Sequence, residues 1–337
     1  METFDAPINE AGNGDILPSA EPTIVYPPRY EKQPQPSYAL LKSISSLALY
    51  LFLGYYIFPS YKILLVITLI VIIHEMGHFI AMKAFRYNEL GIFFIPLLGA
   101  YVSGSKRDVS QLQSAIILLA GPLPGIIIGC AAYLIDQHSA EGIYISGISL
   151  KSISIFFIFL NIINLFPVYP LDGGQLLNRV FLDEEGTWSK IFIVLSTALM
   201  TWLAFSLPFK PLLIFPMMML VRLFSDTKTT QVEKKIETSG INTDTEYSEL
   251  PDEDYWKMRD IIVQEYPQFK DVNPGPPYAY HAKEEKIMTT IESFLHRHLL
   301  QDVSHLGKVL IFLVWIIAFA APWLIQMDMS FLHQFGI

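Results

Sequence analysis

The sequence predicts an all-α polytopic membrane protein, and two observations carry that expectation. Hydrophobic residues make up 52% of the 337 and charged residues only 16%, against roughly 25% charged in soluble domains; mean hydropathy is +0.39. The apolar residues gather into seven runs, near 39–58, 63–85, 112–135, 151–167, 190–207, 210–224 and 307–325. About 20 such residues cross a bilayer as a helix, so the fourth, sixth and seventh runs are short for a span. The net charge of −9 therefore describes the polar remainder.

Taken in order, residues 1–38 hold seven prolines and six acids against two bases, without apolar periodicity. They are expected to form a disordered, Pro-rich acidic tail. No basic region precedes a cleavable apolar stretch at the start, so no signal peptide is expected. The first six runs make up a membrane-embedded portion over 39–225. Pro208 and Pro211 separate the fifth and sixth runs by a tight turn suited to antiparallel helices. Cys130, the single cysteine, excludes an intrachain disulfide and reads as a small buried hydrophobe.

Residues 226–305 are an acidic segment, with 16 acids against 9 bases. Helical spacing predicts one helix over 251–266, where Tyr255, Met258, Ile262 and Tyr266 share a face. A second is predicted over 282–300, with Ile287, Ile291 and Leu295 on one stripe. Asn273-Pro-Gly-Pro-Pro277 is a turn-rich stretch, and no PDZ or CBS module is recognisable. Residues 306–337 hold the seventh run, with Trp315 and Trp323 as expected interfacial anchors. The six preceding spans are expected to close without it.

Loop charge sets the orientation. Lys83, Arg86, Lys106 and Arg107 follow the second run, whereas 136–150 carries no Lys or Arg. Arg179 and Lys190 follow the fourth run, and Arg222, Lys228, Lys234 and Lys235 follow the sixth. The positive-inside rule makes these loops cytoplasmic, and the N-terminus (Arg29, Lys32, Lys42) with them.

The chemistry lies in the second run. His74, Glu75 and His78 sit inside an otherwise apolar, membrane-length stretch. A charged residue near the bilayer centre costs about 2.5–3.5 kcal/mol even on lenient insertion scales. Two histidines four apart share one helix face and can chelate one Zn²⁺, with Glu75 beside them as a general base. At 1.5 Å per residue His74 lies about 17 Å from Ile63 and about 13 Å from Lys83, within the bilayer.

A catalytic zinc site needs a third protein ligand. His138 is in a predicted external loop, and His281, His296, His298, His305 and His333 lie outside the central spans. The best candidate is Asp172, in Asn164-Leu-Phe-Pro-Val-Tyr-Pro-Leu-Asp-Gly-Gly174. There the fourth run breaks at two prolines and a Gly-Gly pair, and broken backbone at membrane depth must be buried in protein or line a wet cavity. A simple helix-ending turn is the competing reading.

The pair HEMGH and NLFPVYPLDGG, in this order and on the second and fourth spans, resembles the site-2 protease family, peptidase family M50. The resemblance covers about residues 39–225. It implies a six-span intramembrane zinc metalloprotease core with one Zn²⁺ per chain, bound by His74, His78 and Asp172. Glu75 would activate the water, and Asn164 would bind substrate or help stabilise the tetrahedral intermediate. Gly91–Val102, interrupted by Pro96 and Gly99, is similar to the family's membrane-dipping β-like loop, which could pair with an unwound substrate by strand addition. Ala120-Gly-Pro-Leu-Pro-Gly125 is similar to the family's Gly-Pro motif, but Pro124 and Gly125 stand where an asparagine is usual.

The function so implied is endopeptidase cleavage of membrane-anchored substrates, in or near their transmembrane segments, as in regulated intramembrane proteolysis. The expected surroundings are a lipid bilayer, most simply a bacterial inner membrane, with no nucleic-acid partner. Two other readings fit the same residues. A non-catalytic relative would only bind membrane helices; a metal or ion transporter would also bury ionisable groups, although no inverted repeat is visible.

Overall fold

The computed structural model describes residues 25–31, 38–96, 99–106, 109–182, 186–206, 210–295 and 299–328. The chain divides into two compact units, Met1–Lys32 with Val232–Leu295, and Gln33–Gln231 with His296–Ile337.

The larger unit opens with α1 (Ala39–Ile57) and α2 (Tyr61–Ala84). Ser60 caps α2 by accepting from the Lys62 N–H. A hairpin follows, β1 (Asn88–Ile95) antiparallel to β2 (Gly99–Ser105), with Ile92 opposite Val102 and Phe94 opposite Ala100. Its side chains alternate as strands require, so Phe94 is buried against Tyr50 of α1 and the Phe94 N–H donates to Ser46 Oγ at 3.1 Å. The expected β-like loop is this hairpin. Leu97 and Leu98 lie outside the described residues.

After the short strand β3 (Val109–Ser110), the third run forms two helices, α3 (Gln111–Ala120) and α4 (Pro122–Gln137). The interruption at Gly121 precedes Pro122, which has no N–H to continue the ladder of α3. The two-residue strands β4 (Tyr144–Ile145) and β5 (Ile148–Ser149) lead into α5 (Leu150–Asn164), 15 residues long. An irregular loop then enters α6 (Asp172–Leu176), which runs on as a π-helical turn over Leu177–Phe181. Next come α7 (Thr187–Ser206) and α8 (Ile214–Thr238), whose C-terminal half is polar.

Among the described residues, five stretches are long and apolar enough to cross a membrane: Leu40–Ile57, Tyr61–Ala84, Gln111–Gln137, Thr187–Ser206 and His305–Leu324. Five of the seven expected runs are among them; the fourth and sixth are not. The fourth run is a shorter apolar helix, and the sixth continues into the polar part of α8, so neither meets the length and apolarity that define a span. On α2 the buried residues Leu64, Thr68, His74, Glu75, His78 and Met82 line one side, while Leu65, Leu69 and Ile80 face outward. An apolar outward face on such a helix suits lipid rather than water.

The seventh run, α11 (His305–Leu324), belongs to the core, contrary to expectation. Ile311, Trp315 and Ala318 are buried with Ala115, Leu118, Leu165, Leu176 and Val180. Just before it, β6 (Leu299–Leu300) pairs in parallel with β3, and Asp302 accepts from Ser110 Oγ and the Leu112 N–H. Trp315 is therefore a core residue and not an interfacial anchor. Trp323 is exposed.

The smaller unit is built on Val232 and Ile236 of α8, α9 (Asp252–Glu265) and α10 (Glu284–Phe294). Tyr255, Met258 and Ile262 are fully buried, as their spacing predicts. Arg259 is buried too, with its Nε donating to Glu284 Oε1 at 2.8 Å and its Nη atoms to the carbonyls of Asn273 and Ala279. Tyr255 donates to the same carboxylate at 2.6 Å. Burial first, and then the Glu284 carboxylate, push the Tyr255 hydroxyl well above the usual phenol range. Residues 25–31, expected within a disordered tail, pack against this unit instead.

Candidate metal centre

His74 and His78 lie one turn apart on α2 and point the same way, as i and i+4 must. Their second-neighbour contacts settle which ring nitrogen is free. The carbonyl of Ile117 can only accept, so His78 Nδ1 donates to it at 2.7 Å. Asn161 Nδ2 donates to Phe157 O at 2.7 Å, which turns its Oδ1 toward His74 Nδ1 at 2.8 Å. That assigned orientation makes His74 Nδ1 a donor as well. In the neutral rings both Nε2 atoms then carry a lone pair.

These lone pairs converge on Asp172 Oδ2, 3.1 Å from His74 Nε2 and 3.4 Å from His78 Nε2, while the two nitrogens stand 3.1 Å apart. Asp172 Oδ2 is buried without a hydrogen-bond partner. Three acceptor atoms facing one another in a buried site repel unless a proton or cation lies among them. Ligands 2.0–2.1 Å from a tetrahedral zinc stand roughly 3.3 Å apart. The residues therefore fit a small tetrahedral divalent cation, and His74, His78 and Asp172 are a group that could hold one metal ion.

Asp172 is delivered by a loop held from three sides. Tyr169 N–H donates to Ser196 Oγ of α7 at 3.2 Å, Trp315 Nε1 of α11 donates to Leu165 O at 2.9 Å, and Gln175 Nε2 donates to Pro170 O at 3.0 Å. The Asp172-Gly-Gly start of α6 folds back so closely that a Cβ at Gly173 would strike Leu165 O.

Two further glycines make room around the histidines. A Cβ at Gly121 would overlap the His78 ring, and one at Gly125 would overlap the Asn161 amide. The departure at Gly125 thus coincides with an amide supplied from α5, whose Asn161 is 1% exposed. Asn161 is the residue that sequence reasoning missed. Its signal was present, since Asn161 and Asn164 are both polar within one apolar helix, but the motif directs attention to Asn164. Asn164 is not part of the cluster; its Nδ2 donates to Leu160 O of its own helix at 3.0 Å. Glu75 is buried on α2 beside the two ligand candidates.

Residues 62–142 match the model of Peptidase family M50. The match contains His74, Glu75 and His78 and stops before Asp172. Over 129 residues the chain is 31% identical to stage IV sporulation protein FB of Bacillus subtilis, covering 36% of this chain and 41% of that protein. It is 29% identical over 117 residues to a zinc metalloprotease of Methanocaldococcus jannaschii, covering 34% and 33%. The chain thus spans less than half the length of these curated relatives. A solved site-2 protease from Methanocaldococcus jannaschii superposes over 53% of this chain and 83% of its own, at 23% identity and a TM-score of 0.39, too low to carry an argument. The five apolar, membrane-length stretches among the described residues mark the chain as an integral membrane protein.

Proposed function

We propose that this protein is an intramembrane zinc endopeptidase of the M50 type that hydrolyses peptide bonds in or near the transmembrane segments of membrane-anchored proteins. The convergence of three lone-pair-bearing atoms of His74, His78 and Asp172 carries the proposal. A single zinc ion held by these three residues would supply Lewis acidity to a scissile carbonyl and to the attacking water. His74 and His78 stay oriented through Asn161 and the Ile117 carbonyl, so neither ring has to reorganise during turnover. Glu75, adjacent to His74 and buried, takes the proton of the water and passes it to the leaving amine. Asn164, one turn beyond Asn161, is assigned to substrate contact.

Helical peptide bonds are shielded by their own hydrogen bonds, so a substrate helix must unwind locally before attack. The β1–β2 hairpin offers strand edges on which an unwound segment can pair. Helix-breaking residues near the cytoplasmic side are the expected mark of a substrate. The basic loops support a cytoplasmic N-terminus and a cytoplasmic placement of residues 226–305, in a bacterial inner membrane.

The test is cleavage of a model membrane peptide by the purified protein, with Glu75→Gln as control. Cleavage by the wild type and loss of turnover in Glu75→Gln at unchanged zinc content are expected. Equal cleavage by both would refute the assignment of Glu75.

A further inference from the structure

Residues 25–31 form no regular hydrogen-bonded element, yet they are tightly held. Trp256 Nε1 donates to Pro27 O at 2.7 Å, Tyr280 Oη to Pro28 O at 2.6 Å, and Tyr247 Oη to Tyr30 O at 2.5 Å. Between them Arg29 donates from its backbone N–H to Asp252 Oδ1 at 2.7 Å and from its guanidinium to the carbonyls of Leu250 and Ser248 at 3.0 and 2.6 Å. Tyr26 stacks on Tyr278 with centroids 5.4 Å apart, and Tyr30 meets Tyr280 edge-on at 5.7 Å.

The pattern of donors is selective. Pro27 and Pro28 have no N–H, so this stretch offers carbonyl oxygens to its surroundings and few donors. The facing wall supplies what such a stretch lacks: three aromatic side chains ending in an N–H or O–H. Proline also fixes φ at two positions and biases the residue before it toward extended backbone, so little freedom is lost on docking. Aromatic grooves with donor tips recognise proline-rich segments by this logic. The segment is also an addition to the unit rather than part of its interior. The fifteen residues of the buried cluster all lie between Val232 and Leu295, and Tyr26 and Tyr30 only pack against them.

We propose that the face formed by Tyr247, Trp256, Tyr278 and Tyr280 is a docking groove for an extended Pro-Pro-Arg segment flanked by tyrosines. Its occupant is this chain's own Tyr26–Tyr30, held as a separable ligand of the groove. Arg29 sets specificity, because two fixed carbonyls call for a long side chain with two N–H donors aimed apart, which the guanidinium supplies.

The probe is a fluorophore-labelled peptide spanning residues 24–32, followed by anisotropy against the full-length protein in detergent and against the chain lacking residues 1–31. The truncated chain is expected to bind it saturably. The full-length chain should bind at least about 10-fold more weakly, because the tethered segment competes at high effective concentration. Arg29→Ala in the peptide should weaken binding at least about 10-fold, the two guanidinium hydrogen bonds being lost while the backbone bond to Asp252 remains. Arg29→Ala in the full-length chain, with nothing deleted, should admit the wild-type peptide more readily than the unsubstituted chain does. The proposal is overturned if the truncated chain, its helical content retained, does not bind the peptide. It is equally overturned if truncation unfolds residues 232–295, if the Arg29→Ala peptide binds as well as the wild type, or if Arg29→Ala in the chain changes nothing.

Discussion

At Asn161 one amide does two jobs that are set by opposite ends. Its Nδ2 is committed to Phe157 O, and this fixes Oδ1 on His74 Nδ1. Such outer contacts typically change metal affinity 10–100-fold when removed. Asn161→Ala is therefore expected to weaken zinc binding by about that factor while leaving the helices folded, as measured by chelator competition. Gly125→Ala should act on the same amide from the opposite side, since its methyl group would occupy the Asn161 position. It should lower zinc affinity, and Gly125→Ala with Asn161→Ala should be less than additive because both act on one contact. The place of Asp172 beside the two histidines was legible in the sequence because a carboxylate at the broken end of an apolar helix has few other uses. Asn161 was visible only as one of two polar residues in an apolar helix; its role depends on which face of α5 turns toward α2, and two asparagines three apart leave that open.

Among the elements, α11 was the least legible. Its composition reads only as a span, since Ile311 and Trp315 look the same in sequence whether they meet lipid or protein. The structure buries Trp315 and gives its indole N–H to Leu165 O, in the loop that delivers Asp172. Trp315→Phe is expected to keep the packing and lose this tie, whereas Trp315→Ala should cost about 3–5 kcal/mol; thermal unfolding in detergent would rank them. The join between β6 and β3 is sensitive to acid. Burial raises the Asp302 carboxyl, but Ser110 Oγ and the Leu112 N–H outweigh it and hold the group below its ordinary value. A carboxyl lowered in the folded state stabilises it above the unfolded value, near pH 3.9, and that contribution fades as pH falls through the lower folded value. Asp302→Asn should remove this acid-side dependence, read as melting temperature against pH. The β1–β2 hairpin was legible as irregular apolar backbone, and its pairing as an antiparallel ladder emerged only with its register.

For the whole molecule, the division into units changes what can be removed. The sequence placed a boundary near 226 and treated everything after it as dispensable to the core. The larger unit instead includes His296–Ile337 and leaves out Val232–Leu295. Replacing 232–295 by a flexible linker is thus expected to leave zinc bound, while deleting 226–337 should lose the folded core; zinc content and cooperative melting distinguish them. Within the smaller unit, removing one member of the Arg259–Glu284 pair strands a buried charge. Glu284→Gln should cost about 3–5 kcal/mol with little effect on zinc content. The central claim is that His74, His78 and Asp172 form one metal centre, and zinc stoichiometry on purified protein tests it most directly. The wild type and Glu75→Gln should each carry close to one zinc per chain, and Asp172→Ala should fall well below that. Full zinc occupancy in a folded Asp172→Ala protein would contradict the account.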